Sequence, residues 1–181
     1  MSRVKVYIVN GYPRSGKDSF VDYCLKRIGP CGDKMSTVDE IKKFAKKMGW
    51  NGEKTPESRY YLSELKQITD DWLDSSNYLI DKKIRIIEAE ADAYGMNYDQ
   101  FVLFIHCREP NKIKEIVKKY AAKTIFISRN SEKAAFSNKS DSDVEEYSYD
   151  FQIENAGTLD ELKEKAEKFV EEVIWEGKFY E

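Results

Sequence analysis

One segment near the start of the chain has the residue types and spacing of a phosphate-binding loop. Residues 11–19 read GYPRSGKDS, which matches the spacing GxxxxGK. This spacing lets successive backbone N–H groups and the N-terminus of the following helix converge on one anionic group. Gly16 would let the backbone approach a phosphate closely, and Lys17 would reach the β- and γ-phosphates of a nucleotide. The loop residues expected to contact the nucleotide are Gly11, Arg14, Ser15, Gly16, Lys17, Asp18 and Ser19.

The end of this loop departs from the usual pattern. A Ser or Thr whose hydroxyl binds Mg²⁺ commonly follows the lysine, but here Asp18 follows Lys17, and Ser19 comes one residue later. A carboxylate oxygen also suits this hard cation, so Asp18 could hold Mg²⁺ directly or through a water, with Ser19 beside it. The alternative is an ordinary glycine turn with an acidic residue that the helix dipole favours.

Arginine is scarce in the chain, and its positions are informative. Only seven of the 30 basic residues are arginines. Four of them fall in loops or at predicted helix starts, where a planar guanidinium can bind phosphate through two N–H groups. These four are Arg14, Arg59, Arg108 and Arg129. Each one alone could equally form a surface ion pair, but together with the loop they favour phosphoryl transfer.

Asp39 is a candidate for handling the phosphate acceptor. It follows the predicted second strand, on the side of a parallel sheet where ligands bind. It could orient the acceptor, or accept its proton if the acceptor is an alcohol, and a helix N-cap is the equal alternative. A monophosphate acceptor needs no base, because its second pKa is roughly 6. Trp50 lies in a predicted loop and could stack on an acceptor base.

The elements that must position these residues alternate between strand and helix, which is typical of an α/β fold with a parallel sheet. Short apolar runs predict strands at 4–9, 35–38, 101–105, 124–127 and 151–153. Apolar residues at helical spacing predict helices at 17–28, 41–48, 56–72, 80–94, 113–120 and 159–173. The helical region 39–95 would separate the second and third strands, and the polar residues 129–149 predict a lid.

The apolar stripes of these helices are expected to pack into the core. The positions expected to face inward include Phe44, Met48, Tyr60, Tyr61, Leu62, Leu65, Ile68, Trp72, Tyr94 and Leu159.

The amino-acid composition argues against some classes of protein. The chain has 181 residues, which fits a single domain over 1–181. Its 30 basic and 33 acidic residues give a formal charge of −3, which argues against a nucleic-acid binder. The three cysteines form no CxxC pair and there is one histidine, so a zinc site is not expected. Free thiols and the lack of a long apolar run favour a cytoplasmic protein.

Several segments together resemble the P-loop nucleoside and deoxynucleoside monophosphate kinases. The similarity is to the branch that contains bacteriophage deoxynucleoside monophosphate kinase and phosphomevalonate kinase, where Asp likewise follows the loop lysine. Besides the loop, the matching segments are 36–42, 48–54, 59–66, 108–110, 150 and 153–159. His106 stands where phage relatives carry an aspartate, and we interpret it as a structural residue.

The resemblance implies a three-layer fold around a five-stranded parallel sheet of order 2-3-1-4-5, with a helical acceptor-binding insert and a lid. It implies transfer of the ATP γ-phosphoryl group, with Mg²⁺, to a small phosphorylated acceptor, most readily a (deoxy)nucleoside monophosphate. The implied catalytic residues are Arg14, Lys17, Asp39, Arg108 and Arg129. The implied acceptor-binding residues are Asp39, Lys42, Trp50, Arg59, Lys66 and Arg108. Asn155 and Gly157 would border the adenine, although a capped turn would have the same sequence.

Two other functions remain open at this point. One is a kinase for a non-nucleotide acceptor of the phosphomevalonate or dephospho-coenzyme A type. The other is a nucleotide-binding switch without catalysis. The strings DAYG at 92–95 and NKSD at 138–141 match guanine-nucleotide motifs, but neither follows a predicted strand, so we interpret both as chance matches. The sequence does not define the oligomeric state.

Overall fold

Five parallel strands form the centre of the molecule. The computed structural model describes residues 4–129 and 147–177. The strands are β1 (Lys5–Gly11), β2 (Gly32–Ser36), β3 (Val102–His106), β4 (Lys123–Ser128) and β5 (Phe151–Glu154). Their order is β2-β3-β1-β4-β5, and every adjacent pair is parallel. The predicted α/β class and sheet order 2-3-1-4-5 are therefore confirmed.

Helices connect the strands and lie on both faces of the sheet. They are α1 (Lys17–Ile28), α2 (Asp39–Lys47), α3 (Pro56–Leu73), α4 (Ser75–Tyr94), α5 (Pro110–Tyr120) and α6 (Leu159–Phe169). A π-helical segment, Val170–Trp175, continues α6. Short 3₁₀ turns lie at Gly29–Cys31 and Tyr98–Gln100. Within the described residues, no helix is both long enough and apolar enough to cross a membrane.

The core has two halves, one on each face of the sheet. Tyr7 and Val9 of β1 pack with α1 and α6, whereas Val6 and Ile8 pack with α4 and α5. Consecutive residues of a strand point to opposite faces, so a strand buried on both faces is apolar without alternation. This explains why the central strands were predictable from short apolar runs.

The second strand lies earlier than predicted, at Gly32–Ser36 rather than 35–38. The prediction was wrong because β2 is an edge strand that pairs with β3 alone. It contains Asp33 and Lys34, so the apolar pattern covers only its last part. Of the predicted lid over residues 129–149, residues 130–146 lie outside the described part of the chain.

The expected inward packing of the helical stripes is wrong at several positions. Trp72 is 84% exposed, Ile68 56% and Tyr61 41%, and Lys66 is the buried residue of α3. The reason is that α3 packs against α2 and α4 rather than lying flat on the sheet. The other exposed residues of the predicted stripes are Phe44, Met48, Tyr60, Tyr94 and Leu159.

Candidate phosphate-binding site

The loop between β1 and α1 has a backbone that its two glycines make possible. Gly11 and Gly16 have φ values of +152° and +94°, which residues with a Cβ rarely adopt. A Cβ on Gly11 would lie closer than 3.0 Å to the Ile127 carbonyl oxygen, and one on Gly16 equally close to the Asn155 side-chain nitrogen. The loop therefore needs glycine at both positions for steric as well as conformational reasons.

Between the glycines the backbone turns so that amides lie at the start of α1. The Ser15 N–H donates to the Tyr12 carbonyl (3.2 Å), and α1 begins with the Phe20 N–H donating to the Gly16 carbonyl. Arg14 has a φ of +64°. Among residues 4–129 and 147–177, the Gly16 and Asp18 amides meet no protein acceptor. Such N–H groups, together with the positive end of the helix dipole, can bind an anion.

Two polar side chains of the loop are buried within it. The Lys17 ammonium donates to the Tyr12 carbonyl (3.2 Å), so the side chain folds back over the loop. Ser15 is 1% exposed, and its Oγ has no hydrogen-bond partner within the described part of the chain. This Oγ lies 2.8 Å from the point that a Cβ on Gly11 would occupy. A buried hydroxyl without a partner is unfavourable unless a ligand supplies one.

Asn155 lies against the loop, and Gly157, two residues later, lines an open pocket together with Glu161 and Lys165 of α6. The Asn155 side-chain N–H donates to the Ser15 carbonyl (2.9 Å), and its backbone N–H donates to the Ser128 carbonyl (2.7 Å). Only 6% of the residue is exposed. Gly157 is exposed in the turn before α6, next to the Glu161 carboxylate that caps this helix. Asn155 therefore holds the loop in position, and Gly157 lies near the capped turn.

Asn10 and Tyr149 are contributors to the site that sequence reasoning missed. Asn10 is fully buried; its Oδ1 accepts from the Gly11 N–H (2.8 Å) and its Nδ2 donates to the Tyr149 hydroxyl (2.7 Å). The Tyr149 ring stacks on Phe126 at 5.0 Å, and burial raises its pKa. The polar Asn10 inside an apolar strand was the available indication. No local pattern identifies Tyr149, because the contact joins residues 139 positions apart.

His106 lies at the end of β3, facing the start of α1. Its Nε2 is 3.7 Å from the Asp18 carboxylate, and its Nδ1 has no partner among the described residues. Burial lowers the pKa of His106; the Asp18 carboxylate opposes this shift and the Lys17 ammonium adds to it. The imidazole is consequently neutral at pH 7.

The residues present fit a nucleotide-bound Mg²⁺ ion better than a metal caged by protein alone. Within the described ranges, no group of three or more His, Cys, Asp or Glu residues could hold a metal. Mg²⁺ bound with phosphates usually has one or two protein oxygens and several waters. The Asp18 carboxylate is 80% exposed at the loop, and Ser19 follows it in α1. These two side chains offer suitable oxygen donors.

Asp39 lies at the same edge of the sheet, where β2 and β3 end. Its carboxylate accepts the Ser36 N–H (3.0 Å), and the Thr37 N–H donates to the His106 carbonyl. Asp39 is the first residue of α2 and is exposed. The N-cap alternative does not apply, because Val38 occupies the N-cap position of α2. Lys42 lies one turn further along α2 and is exposed.

The remaining predicted acceptor residues have different surroundings. Trp50 donates its indole N–H to the Ser58 hydroxyl (3.0 Å), which fixes the turn between α2 and α3. Arg59 is exposed on α3, Arg108 follows β3 and is half-buried, and Arg129 is exposed directly after β4. The carboxyl ends of parallel strands share one edge of the sheet. The backbones of Arg108 and Arg129 therefore both lie at the edge that carries the loop.

Lys66 belongs to a buried ion-pair network. Its ammonium is 3.1 Å from the Asp70 carboxylate and 3.3 Å from that of Glu109. Burial alone would lower the pKa of Lys66, but the two carboxylates outweigh it and the pKa is raised. Glu109 directly precedes α5. The network therefore joins α3 to the segment after β3 that also carries Arg108.

Comparison of the sequence with models of known protein families gives no match, and comparison with curated proteins gives none. The interpretation of the site therefore depends on its geometry. The loop, Asp39, His106, Arg108, Arg129 and Asn155 all lie at the carboxyl edge of the sheet. In open α/β sheets this edge is where ligands bind.

Proposed function

We propose that the protein is an ATP- and Mg²⁺-dependent kinase that phosphorylates a small phosphorylated acceptor, with a (deoxy)nucleoside monophosphate as the favoured acceptor. The observation that carries this proposal is the interior of the loop: it contains a buried Ser15 hydroxyl that meets no hydrogen-bond partner among the described residues, and a Lys17 ammonium that is folded back onto the Tyr12 carbonyl. Both groups suit an anion that enters the turn, and the glycine spacing suits the phosphates of a nucleotide.

The loop would bind a nucleotide through an ammonium group, backbone amides and a hydroxyl group. The Lys17 ammonium exchanges its bond to a neutral carbonyl for charge-assisted bonds to the β- and γ-phosphates, which are roughly twice as strong. The Gly16 and Asp18 amides donate to the same phosphates, and the Ser15 hydroxyl gains a partner. The Ser15 carbonyl already accepts a hydrogen bond from the Asn155 side chain. The loop thus needs little rearrangement to receive its ligand.

Asp18 and Ser19 are the residues that would hold Mg²⁺. The ion supplies neutralisation of charge on the phosphates during transfer. His106 is neutral and adjacent to Asp18, so it leaves the negative charge of this carboxylate available. This arrangement would take the place of the aspartate that phage kinases of the branch resembled carry at the end of the central strand.

The acceptor would lie between the loop and α2–α3. Asp39, Arg59 and Arg108 would position it, with Lys42 and Trp50 as further contacts. A monophosphate oxygen, already deprotonated at neutral pH, attacks the γ-phosphorus without a base. The bond from this phosphorus to the bridging oxygen breaks, and ADP leaves with the electron pair. Arg14, Arg129 and Lys17 would stabilise the charge on the transferred group.

A panel of acceptors incubated with labelled ATP and Mg²⁺ tests the proposal. We expect transfer to a nucleoside monophosphate and a loss of about 100-fold or more in Lys17→Ala, because a charge that stabilises the transition state is removed. Lys26→Ala, at the exposed end of α1, is the matched control and should retain full activity.

The same panel of acceptors distinguishes the alternative functions. Transfer to phosphomevalonate or dephospho-coenzyme A alone would show that the acceptor class is wrong. Tight, guanine-selective binding without product would support a switch. Full activity of Lys17→Ala would refute the proposed role of the loop.

A further inference from the structure

Asn10 is a polar residue near the carboxyl end of the central strand β1, and its side chain is fully buried. Val6 and Ile8 of the same strand pack with α4 and α5, and Asn10 continues this alternation on the same face of the sheet. A buried amide side chain is unfavourable unless its oxygen and its nitrogen form hydrogen bonds. The partners of Asn10 therefore show what an amide contributes at this position of an apolar strand.

The oxygen and both N–H groups of the Asn10 amide have partners, and these partners belong to three different segments. Oδ1 accepts from the N–H of Gly11, the first residue of the phosphate-binding loop (2.8 Å). Nδ2 donates to the Tyr149 hydroxyl (2.7 Å) and to the Arg108 carbonyl (3.4 Å). The orientation of the amide is determined, because the Gly11 N–H can only donate and the Arg108 carbonyl can only accept.

The segment that contains Arg108 is also fixed to α3. Glu109, the next residue, has its carboxylate 3.3 Å from the Lys66 ammonium of α3. Cys107, the preceding residue, is 2% exposed, and its thiol donates to the Glu109 carboxylate (3.5 Å). The backbone of Arg108 is thus joined to the loop through its own carbonyl and to α3 through the residue that follows it. It links the side of the molecule proposed to bind the acceptor with the loop proposed to bind ATP.

Tyr149 supports the Asn10 amide from the third segment. Its ring stacks on that of Phe126 (5.0 Å), and Phe126 of β4 is the residue that pairs with Asn10 in the sheet. The packing of the ring fixes the direction from which the hydroxyl reaches Asn10. A functional residue is held in one geometry when its supporting groups are themselves held by packing and hydrogen bonds.

We propose that Asn10 is a positioning residue, which acts through Arg108 and fixes this arginine relative to the phosphate-binding loop. This inference rests on the proposed kinase function, in which Arg108 binds the acceptor. Phosphoryl transfer depends mostly on positioning and charge neutralisation, and a displacement of about 1 Å can cost roughly 100-fold in rate. Asn10 contacts neither substrate in this role. Its contribution is the fixed separation of Gly11 and Arg108.

A double-mutant cycle with labelled ATP, Mg²⁺ and the best nucleoside monophosphate of the acceptor panel tests whether Asn10 acts through Arg108. We expect Asn10→Ala to lower kcat/KM for this acceptor about 10- to 100-fold. In the Arg108→Ala background, the same substitution should change kcat/KM by only about two-fold, because the guanidinium that Asn10 positions is absent. The effects of independent residues add to within about two-fold, so a merely structural role would leave the full loss in place.

Binding of ATP should be affected much less than transfer to the acceptor. The loop keeps its other hydrogen bonds in Asn10→Ala, among them those from the Ser15 N–H to the Tyr12 carbonyl and from the Asn155 side chain to the Ser15 carbonyl. Calorimetric titration with ATP and Mg²⁺ measures this difference. A loss of ATP affinity as large as the loss of kcat/KM would show that Asn10 serves the loop alone, and would overturn the proposal.

Asn77→Ala is the matched control, because Asn77 is also a buried asparagine (7% exposed) and donates to Asp74 of its own segment (2.8 Å). It should lower the free energy of unfolding without changing kcat/KM. Tyr149→Phe removes one of the three bonds of Asn10 and keeps the ring, so it serves as the second variant if Asn10→Ala does not fold. We expect it to lower kcat/KM about two- to ten-fold, and again only when Arg108 is present.

Three results overturn this inference while the proposed function stands: equal losses in both backgrounds of the cycle, an equal loss of kcat/KM in Asn77→Ala, or wild-type kinetics in the Asn10 and Tyr149 variants. A wild type that transfers no phosphoryl group to any acceptor refutes the proposed function, and this inference with it.

Discussion

At the scale of single residues, the left-handed glycines of the chain differ in what surrounds them. Gly16 and Gly95 both have positive φ, but a Cβ on Gly95 would meet nothing within 4 Å, whereas one on Gly16 would collide with Asn155. We expect Gly95→Ala to lower the free energy of unfolding by about 1 kcal/mol, through backbone strain alone. Gly16→Ala should lower it by about 1 kcal/mol more and should abolish ATP binding.

Chemical denaturation and calorimetric titration with ATP measure the two effects of these substitutions. Gly95→Ala is the matched control, because its φ is also positive (+63°) and a Cβ there meets no other atom within 4 Å. If Gly16→Ala bound ATP as the wild type does, the close approach of Asn155 to the loop would have no functional role.

His106 gives a prediction on pH dependence, because it is the one histidine of the chain. Burial lowers its pKa, the neighbouring Asp18 and Asp39 carboxylates oppose the shift, and Lys17 and Lys34 add to it. The folded pKa therefore lies below the unfolded value of about 6.5. The stability from this group is present above pH 6.5 and is lost as the pH falls through the folded pKa, since the unfolded chain then binds the extra proton.

The measurement is the free energy of unfolding of the wild type and His106→Gln between pH 5 and 8. The wild type should lose more stability than the variant on acidification below pH 6.5. Parallel curves for the two proteins would contradict the assignment of a lowered pKa to this histidine.

At the scale of elements, the network of Lys66, Asp70 and Glu109 links α3 to the segment between β3 and α5. We expect Lys66→Ala to cost about 3 kcal/mol of unfolding free energy, because it leaves the Asp70 carboxylate buried without its cation. Gln67→Ala, on the exposed side of the same helix, should change stability by less than about 0.5 kcal/mol. Denaturant unfolding checks both. Equal effects would show that the ion pairs contribute nothing specific.

The elements also explain how much of the molecule could be predicted from sequence. The strands β1, β3 and β4 are apolar on both faces, and local patterns suffice for them, whereas the sheet order was predicted only from the resemblance. The loop is likewise local, since its glycines and lysine lie within seven residues. By contrast, the exposure of Tyr61, Ile68 and Trp72 depends on which neighbours α3 has. The contacts of Asn155 with the loop and of Tyr149 with Asn10 join residues about 140 positions apart, and no local pattern contains them.

At the scale of the whole molecule, the residues of the proposed site come from different helices. Asp39 and Arg59, which would position the acceptor, belong to α2 and α3, whereas Lys17 and Asp18 belong to α1.

Thermal stability offers a test of nucleotide binding that depends on the whole molecule. A ligand that binds only the folded chain adds about 2.7 kcal/mol at a free concentration of 100 times its Kd, which for a chain of this size raises Tm by about 5–10 °C. We expect this shift with ATP and Mg²⁺ for the wild type and Lys26→Ala, and almost none for Lys17→Ala, because the ammonium that meets the phosphates is absent. Differential scanning calorimetry at several ATP concentrations measures it. An equal shift in Lys17→Ala would mean that ATP binds elsewhere on the protein, and the phosphates would then need another site.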